Sequence, residues 1–250
     1  MKKLVQWRTG LLVLAISLSG VEGLRAQKGA DKGADNKLEV VKKVERVASL
    51  GRKIVSSNQT LINDPTKEAK GFTADSFTAT LKAMLLEEKI DLNKEIKKGG
   101  LSGKSMESLL EAQRTVLTDA QGLINKKGMG FKGFLPALFA RKAFEIFNQQ
   151  GSGITGKTTA LIVRNVKNAP DSWERKSIEK FMDPGYPKGK AISEVVDGTL
   201  RYIKPEYYTE EAGCLKCHGE PKGERDISGG LKDGFKDGAP GAALSFTIKE

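Results

Sequence analysis

The sequence predicts an α+β fold, with long N-terminal helices followed by a small antiparallel sheet. Apolar residues recur at three- and four-residue spacing between residues 37 and 149, which is typical of amphipathic helices. From Gly151 onward Gly, Pro and Asn become frequent and short β-type runs appear. Helices that precede strands, rather than alternate with them, favour an α+β arrangement.

The helical part begins with one long helix over about 37–58, where Val41, Val44 and Val47 keep the helical spacing. Further helices are predicted around 77–85, over 105–125 and over 136–149. Pro136 suits the first turn of the last of these. Glycine-rich stretches at 98–103 and 128–133 are expected to be connecting loops.

The second part contains three predicted strands, at 158–163, 199–203 and 241–248. A short helix is expected at 172–181. Asp171 directly precedes it and is the residue type that caps a helix N-terminus.

The N-terminus has the pattern of a secretory signal peptide at 1–26. Lys2, Lys3 and Arg8 precede an apolar run at 11–18, and Ala26 ends the segment. We therefore expect a periplasmic or otherwise exported protein that is not integral to the membrane after cleavage; an uncleaved N-terminal anchor is the alternative. Residues 27–36 lack apolar anchors, which predicts a disordered linker, and residues 37–250 are expected to form a single domain.

The two cysteines and the single histidine of the chain all lie in Cys214-Leu-Lys-Cys217-His218. This spacing is typical of covalent c-type haem attachment, because two thiols reach two vinyl groups while the next residue ligates the iron. We therefore predict one haem c, held by Cys214 and Cys217, with His218 as the proximal ligand. Half of a zinc site, a redox dithiol and a structural disulfide are the alternatives. Zinc lacks further Cys or His ligands here, and no βαβ pattern precedes Cys214.

Other function classes fit the sequence poorly. The net charge is +11, but the lysines are evenly spread without interleaved aromatic residues, so no nucleic-acid partner is expected. The one histidine is assigned to iron, and no glycine-rich phosphate loop follows a strand, so an enzyme is not predicted.

Four segments of the chain together resemble the Tll0287-like haem domain family. They are Asn168-Ala-Pro-Asp-Ser-Trp-Glu174, Leu200-Arg-Tyr202, Cys214-Leu-Lys-Cys-His-Gly219 and Gly241-Ala-Ala-Leu-Ser245, within a similarity that covers roughly 57–248. The resemblance implies a PAS-like sheet flanked by long N-terminal helices and carrying one covalent haem. It also implies redox or gas sensing, with electron transfer as the alternative.

The sixth iron ligand is where the sequence departs from this family. The resemblance implies a cysteine on an N-terminal helix, but both cysteines here belong to the haem motif. Met129, Lys132 and Met182 are candidates to replace it, and an open or water-ligated position is the alternative that we favour.

Further haem contacts are expected from cationic and aromatic side chains. Arg164, Arg201 and Lys216 are candidates to pair with the haem propionates, since a buried carboxylate needs a hydrogen-bonded cation; solvated surface charge is the alternative for each. Tyr202 and Trp173 are expected to pack against the sheet or the porphyrin.

Two functions remain. One is a haem-based module that senses redox state or binds a diatomic gas such as NO or CO, and that needs a signalling partner protein. The other is a soluble periplasmic electron-transfer cytochrome that docks with a redox partner through its basic surface.

Overall fold

The structure is a computed structural model that describes residues 19–249, with side chains from Asn36 onward. It confirms the predicted α+β class: helices come first along the chain, and a four-stranded antiparallel sheet follows. Residues from Lys37 onward form one compact unit. Within 19–249, no helix combines the length and apolar character that a membrane span requires.

Two of the helices have the bounds that the sequence predicts, 136–149 and 172–181. Helix α6 begins at Pro136, and helix α7 begins after Asp171, whose carboxylate accepts a hydrogen bond from the Glu174 amide at 2.9 Å. The helices are α1 (Ser19–Ser57), α2 (Gln59–Ile62), α3 (Ala74–Glu87), α4 (Leu92–Lys98), α5 (Gly100–Ile124), α6 (Pro136–Gln149), α7 (Ser172–Phe181) and α8 (Leu215–His218).

The predicted signal peptide lies partly outside the described residues. Of the expected signal peptide, residues 1–18 lie outside the described residues, and 19–26 begin helix α1. Residues 27–36 continue that helix, whereas the sequence predicts a disordered linker. A helix that has nucleated extends by one hydrogen bond per added residue, so it can continue through a stretch that has no apolar anchor.

The predicted loop at 98–103 is wrong, because α4 and α5 are separated by Gly99 alone. Gly103 lies on α5, where a Cβ atom would collide with the backbone carbonyl of Glu95. The glycine there permits two helices to approach closely and does not mark a loop.

The sheet has the order β1-β4-β3-β2 and consists of β1 (Ile154–Thr159), β2 (Ile192–Val196), β3 (Thr199–Tyr208) and β4 (Ala239–Lys249). Strand β1 begins four residues before its predicted start. Strand β2 was not predicted, because this edge strand is mostly exposed and lacks an apolar alternation. Strand β3 continues five residues beyond its predicted end at Ile203, although Pro205 argues against a strand.

Helix α1 lies against one face of the sheet. Its residues Val41, Val44 and Val47 are fully buried in the main core. Two ion pairs link α1 to β3: Lys204 to Glu45 at 3.0 Å, and Arg52 to Glu206. These contacts fix α1 alongside the end of β3 from which the Cys-x-x-Cys-His segment emerges.

Candidate functional site

A cavity of about 620 Å³ lies between α1, α2, the start of α6, the sheet and α8. Its size is within the range of about 300–1,000 Å³ that is typical of small-molecule and cofactor sites. Cys214, Cys217 and His218 all line it. The motif forms a single helical turn, in which the His218 amide donates to the Cys214 carbonyl at 2.9 Å.

The walls of this cavity differ in polarity. The strand β4 wall is apolar and consists of Ala242, Ala243 and Leu244. The helical wall carries polar side chains, namely Arg52, Ser56, Gln59, Thr60, Asn63 and Arg141. An apolar wall combined with a few polar side chains is typical of small-molecule and cofactor sites.

The His218 imidazole is held through its Nδ1 atom, which lies 2.5 Å from the Oδ2 atom of Asp233. A carboxylate only accepts hydrogen bonds, so Nδ1 carries the proton and Nε2 is the nitrogen available to a metal. The described residues contain no cluster of three or more His, Cys, Asp and Glu arranged to hold a metal ion.

The ring of Tyr208 stacks on the His218 imidazole, with centroids 4.3 Å apart and planes 18° apart. Tyr208 in turn lies over Gly241, where a Cβ atom would overlap its ring. Gly241 is part of the closing segment that the sequence singled out. Its lack of a side chain leaves room for the tyrosine that orients the histidine.

Arg164, a predicted propionate partner, lines the cavity, and protein groups already engage its guanidinium. Its guanidinium pairs with buried Asp226 and donates to the carbonyls of Cys217 at 2.5 Å and Leu231 at 2.9 Å. Arg164 therefore ties the Cys-x-x-Cys-His segment to the loop that follows it.

Arg201 and Tyr202 do not line the cavity, so the structure does not bring them to the predicted site. Successive strand residues point to opposite faces: Arg201 pairs with Asp171 at 2.5 Å and stacks over Trp173 on the α7 side. Tyr202 is buried in the core beneath α1, next to Phe246. The same strand reaches the cavity farther along, through Glu206 and Tyr208.

The cavity lining also does not include the three predicted replacements for the sixth ligand, Met129, Lys132 and Met182. The Lys132 amide is fixed by Asn63 at 2.9 Å, and its ammonium group donates to the Met129 carbonyl. Met182 follows the last residue of α7 and is 48% exposed. Of the residues around Met129, Gly130 and Phe131 are those that line the cavity.

The sequence analysis did not identify several residues of the site, among them Arg52, Glu206, Tyr208 and Asp233. Arg52 lies on the predicted long helix, one position from its apolar face. No local pattern in the sequence indicates that it pairs with Glu206, which is far away in the chain. Glu206 would have been found by continuing the alternation of β3 past Pro205. Asp233 lies 15 residues after His218 in an irregular loop, for which no periodic pattern exists.

The cysteine environment bears on the redox-dithiol alternative. Burial raises the pKa of the Cys217 thiol. Reactive dithiols instead have thiol pKa values lowered by nearby positive charge or a helix N-terminus. The site therefore favours thiols that serve as attachment points over thiols that exchange disulfides.

The loop after the motif has a predictable response to acid. Burial opposes ionisation of Asp226, yet hydrogen bonds from Ser228 and Arg164 lower its pKa from 3.8 to about 2. Because the folded pKa is the lower one, the stabilisation is complete above about pH 4 and is lost as the pH falls towards 2. Urea unfolding midpoints should fall over this interval, and the fall should be smaller in Asp226→Asn. An equal fall in both proteins would contradict the assignment.

One of three comparisons with known proteins, that with family profiles, confirms the predicted family. A search of curated proteins found no match. A solved structure titled as that of the cyanobacterial haem-protein Tll0287 is similar, with a TM-score of 0.41 and 18% identity over 58% of this chain and 91% of that chain. The profile of the Tll0287-like family matches residues 28–248. Because that match spans most of the sequence, the chain belongs to the Tll0287-like family.

Proposed function

We propose that this chain is an exported monohaem c-type cytochrome that binds a diatomic gas, NO or CO, or senses redox state at its haem. The observation that carries this proposal is that Cys214, Cys217 and His218 line one cavity while Nε2 of the histidine is left free. Membership of a family whose namesake is titled a haem-protein supports it.

The attachment chemistry needs only the two thiols and the vinyl groups. Each S–H of Cys214 and Cys217 adds across one vinyl C=C, so that sulfur bonds to one carbon and hydrogen to the other, and no oxidant is consumed. The helical turn of α8 keeps His218 beside both cysteines. When bound, the haem supplies an iron centre able to take a gas ligand or exchange an electron.

The remaining cavity residues fit the rest of a haem. Its ring would lie against the apolar β4 wall, and its propionates need hydrogen-bond donors or cations. Thr158 and Thr159 line the cavity with buried hydroxyl groups that have no partner among the described residues. Arg141 and Lys216 also line it, and neither is paired with a buried acid.

The gas-binding function is favoured over electron transfer by what lines the cavity on the described residues. No methionine is among its lining residues, and the α1 and α2 positions there are Arg52, Ser56, Gln59, Thr60 and Asn63. Strong sixth ligands of transport cytochromes are typically Met or His. An open position opposite His218 would admit a diatomic gas.

The test is the optical spectrum of the purified, reduced protein with and without CO. We expect a five-coordinate high-spin ferrous haem whose Soret band shifts on CO addition, and the same response in Met129→Ala, because Met129 does not line the cavity. A six-coordinate spectrum insensitive to CO would overturn the gas-binding proposal.

That result would support the electron-carrier alternative. Lys216 is exposed, and Cys217 and His218 are only partly buried, which would bring one haem edge near the surface for electron exchange with a partner. Export itself is tested separately by N-terminal sequencing of the secreted protein. Cleavage after Ala26 is expected, and a retained Met1 in a membrane fraction would favour the anchor.

A further inference from the structure

The contact between His218 and Asp233 has a consequence for the electronic state of a bound iron. The Nδ1–Oδ2 distance is 2.5 Å, and only 7% of the Asp233 side chain is exposed. A hydrogen bond to a carboxylate in a mostly buried setting is stronger than one to a neutral acceptor. The imidazole of His218 is therefore more electron-rich than one bonded to water or a backbone carbonyl.

The backbone of the loop holds the carboxylate in place before any ligand binds. The Phe235 amide donates to the His218 carbonyl at 2.9 Å, and the Gly234 amide donates to the Gly219 carbonyl at 3.0 Å. The two residues after Asp233 are thus hydrogen-bonded to His218 and to its neighbour Gly219.

Arg164 adds a second constraint to the same carboxylate. Its guanidinium lies 3.9 Å from the Oδ1 atom of Asp233, and it also donates to the Cys217 carbonyl at 2.5 Å. One cation thus connects the acid to the attachment turn. The two carboxylate oxygens thus face different partners, Oδ1 the guanidinium and Oδ2 the imidazole.

The imidazole cannot rotate freely away from this acid. Tyr208 stacks on one of its faces, and Phe235 packs edge-on against Tyr208 with centroids 5.2 Å apart. The stacking keeps the ring plane fixed while Asp233 fixes the direction of Nδ1. Together these contacts keep the Nδ1 atom of His218 directed at the carboxylate of Asp233.

We propose that Asp233 is a positioning residue that gives His218 imidazolate character and thereby lowers the reduction potential of a bound haem. The inference rests on the haem attachment proposed above. A more electron-rich nitrogen ligand stabilises Fe(III) relative to Fe(II), and partners outside the first ligand shell tune metal sites in this way.

The experiment is a potentiometric titration of the haem-loaded protein. In Asp233→Asn a neutral acceptor replaces the carboxylate, and the Fe(III)/Fe(II) equilibrium should move at least about tenfold towards Fe(II). For a one-electron couple this is a rise of about 59 mV. Asp233→Glu keeps a carboxylate and should recover much of the wild-type potential.

Glu220→Gln is the matched control, because Glu220 is exposed two residues from His218 and has no contact with the imidazole. It removes the same charge and should leave the potential nearly unchanged. An equal rise in Glu220→Gln, or no rise in Asp233→Asn, would overturn the role of Asp233.

A spectroscopic readout keeps the proposal testable if Asp233→Asn fails to assemble. The iron–histidine stretching frequency of the ferrous wild-type protein should exceed that of ferrous haem bound by a neutral imidazole in water. A frequency equal to that reference would contradict the proposal. Wild-type protein that carries no haem would overturn haem attachment itself. Haem-loaded Asp233→Asn protein with the potential of the wild type would overturn only the role of Asp233.

Discussion

Replacing both motif cysteines, Cys214→Ser with Cys217→Ser, is expected to give protein that carries no covalently bound haem. The sequence has no other cysteine that could form a thioether. Serine keeps the size and the helical turn but supplies no sulfur. The measurement is the haem that remains with the polypeptide after denaturation and extraction with acidified solvent.

The single variants refine this result. Either one alone should retain a haem bound through one thioether, with a reduced yield and a shifted pyridine haemochrome spectrum, because one vinyl group stays unreacted. Ser193→Ala is a suitable control, since Ser193 is exposed on the edge strand β2 and does not line the cavity. Extraction of all the haem from wild-type protein would refute covalent attachment.

Arg164→Leu is expected to cause the largest loss of stability among single substitutions at the site. The carboxylate of Asp226 is fully buried, and Arg164 is its cationic partner. Removing one member of such a pair leaves an uncompensated charge, and about 2–4 kcal/mol should be lost, allowing for the partial exposure of Arg164. The measurement is the free energy of unfolding in urea at neutral pH.

Two companion variants separate this cause from a general effect of removing an arginine. Arg175→Leu, at an exposed position of α7, should change the free energy by no more than about 0.5 kcal/mol. In a double-mutant cycle, Arg164→Leu should cost much less in an Asp226→Asn background, where no charge is stranded. Equal costs in both backgrounds would show that the Arg164–Asp226 pair is not responsible.

The same arginine explains why haem content should fall in Arg164→Leu. Its bonds to the carbonyls of Cys217 and Leu231 join the attachment turn to the following loop. Without them, the turn that carries both thiols loses its side-chain link to the loop that carries Asp233. Sequence reasoning placed Arg164 at the site but assigned it to the cofactor, because a guanidinium suits a propionate as well as it suits a protein carboxylate.

Local chemistry determined much of this protein from its sequence alone. The bounds of α6 and α7 followed from Pro136, from the Asp171 cap and from apolar spacing, which act within a few residues. The motif from Cys214 to His218 identified the candidate site because its three reactive side chains are adjacent in the chain. The order of helices before strands was enough to predict the α+β class.

Only the tertiary structure decided which distant residues share the site. Arg201 and Tyr202 do not line the cavity, because successive side chains of a strand point to opposite faces of the sheet. Which residues each face contacts depends on the helices that pack on it. Met129 does not line the cavity, because the hydrogen bonds of Lys132 to Asn63 and to the Met129 carbonyl hold the loop so that its neighbours do. Asp233 and Arg52 entered the site through contacts with residues far away in sequence. Such pairings depend on how separate elements pack together, and that packing leaves no periodic or local signature in the chain.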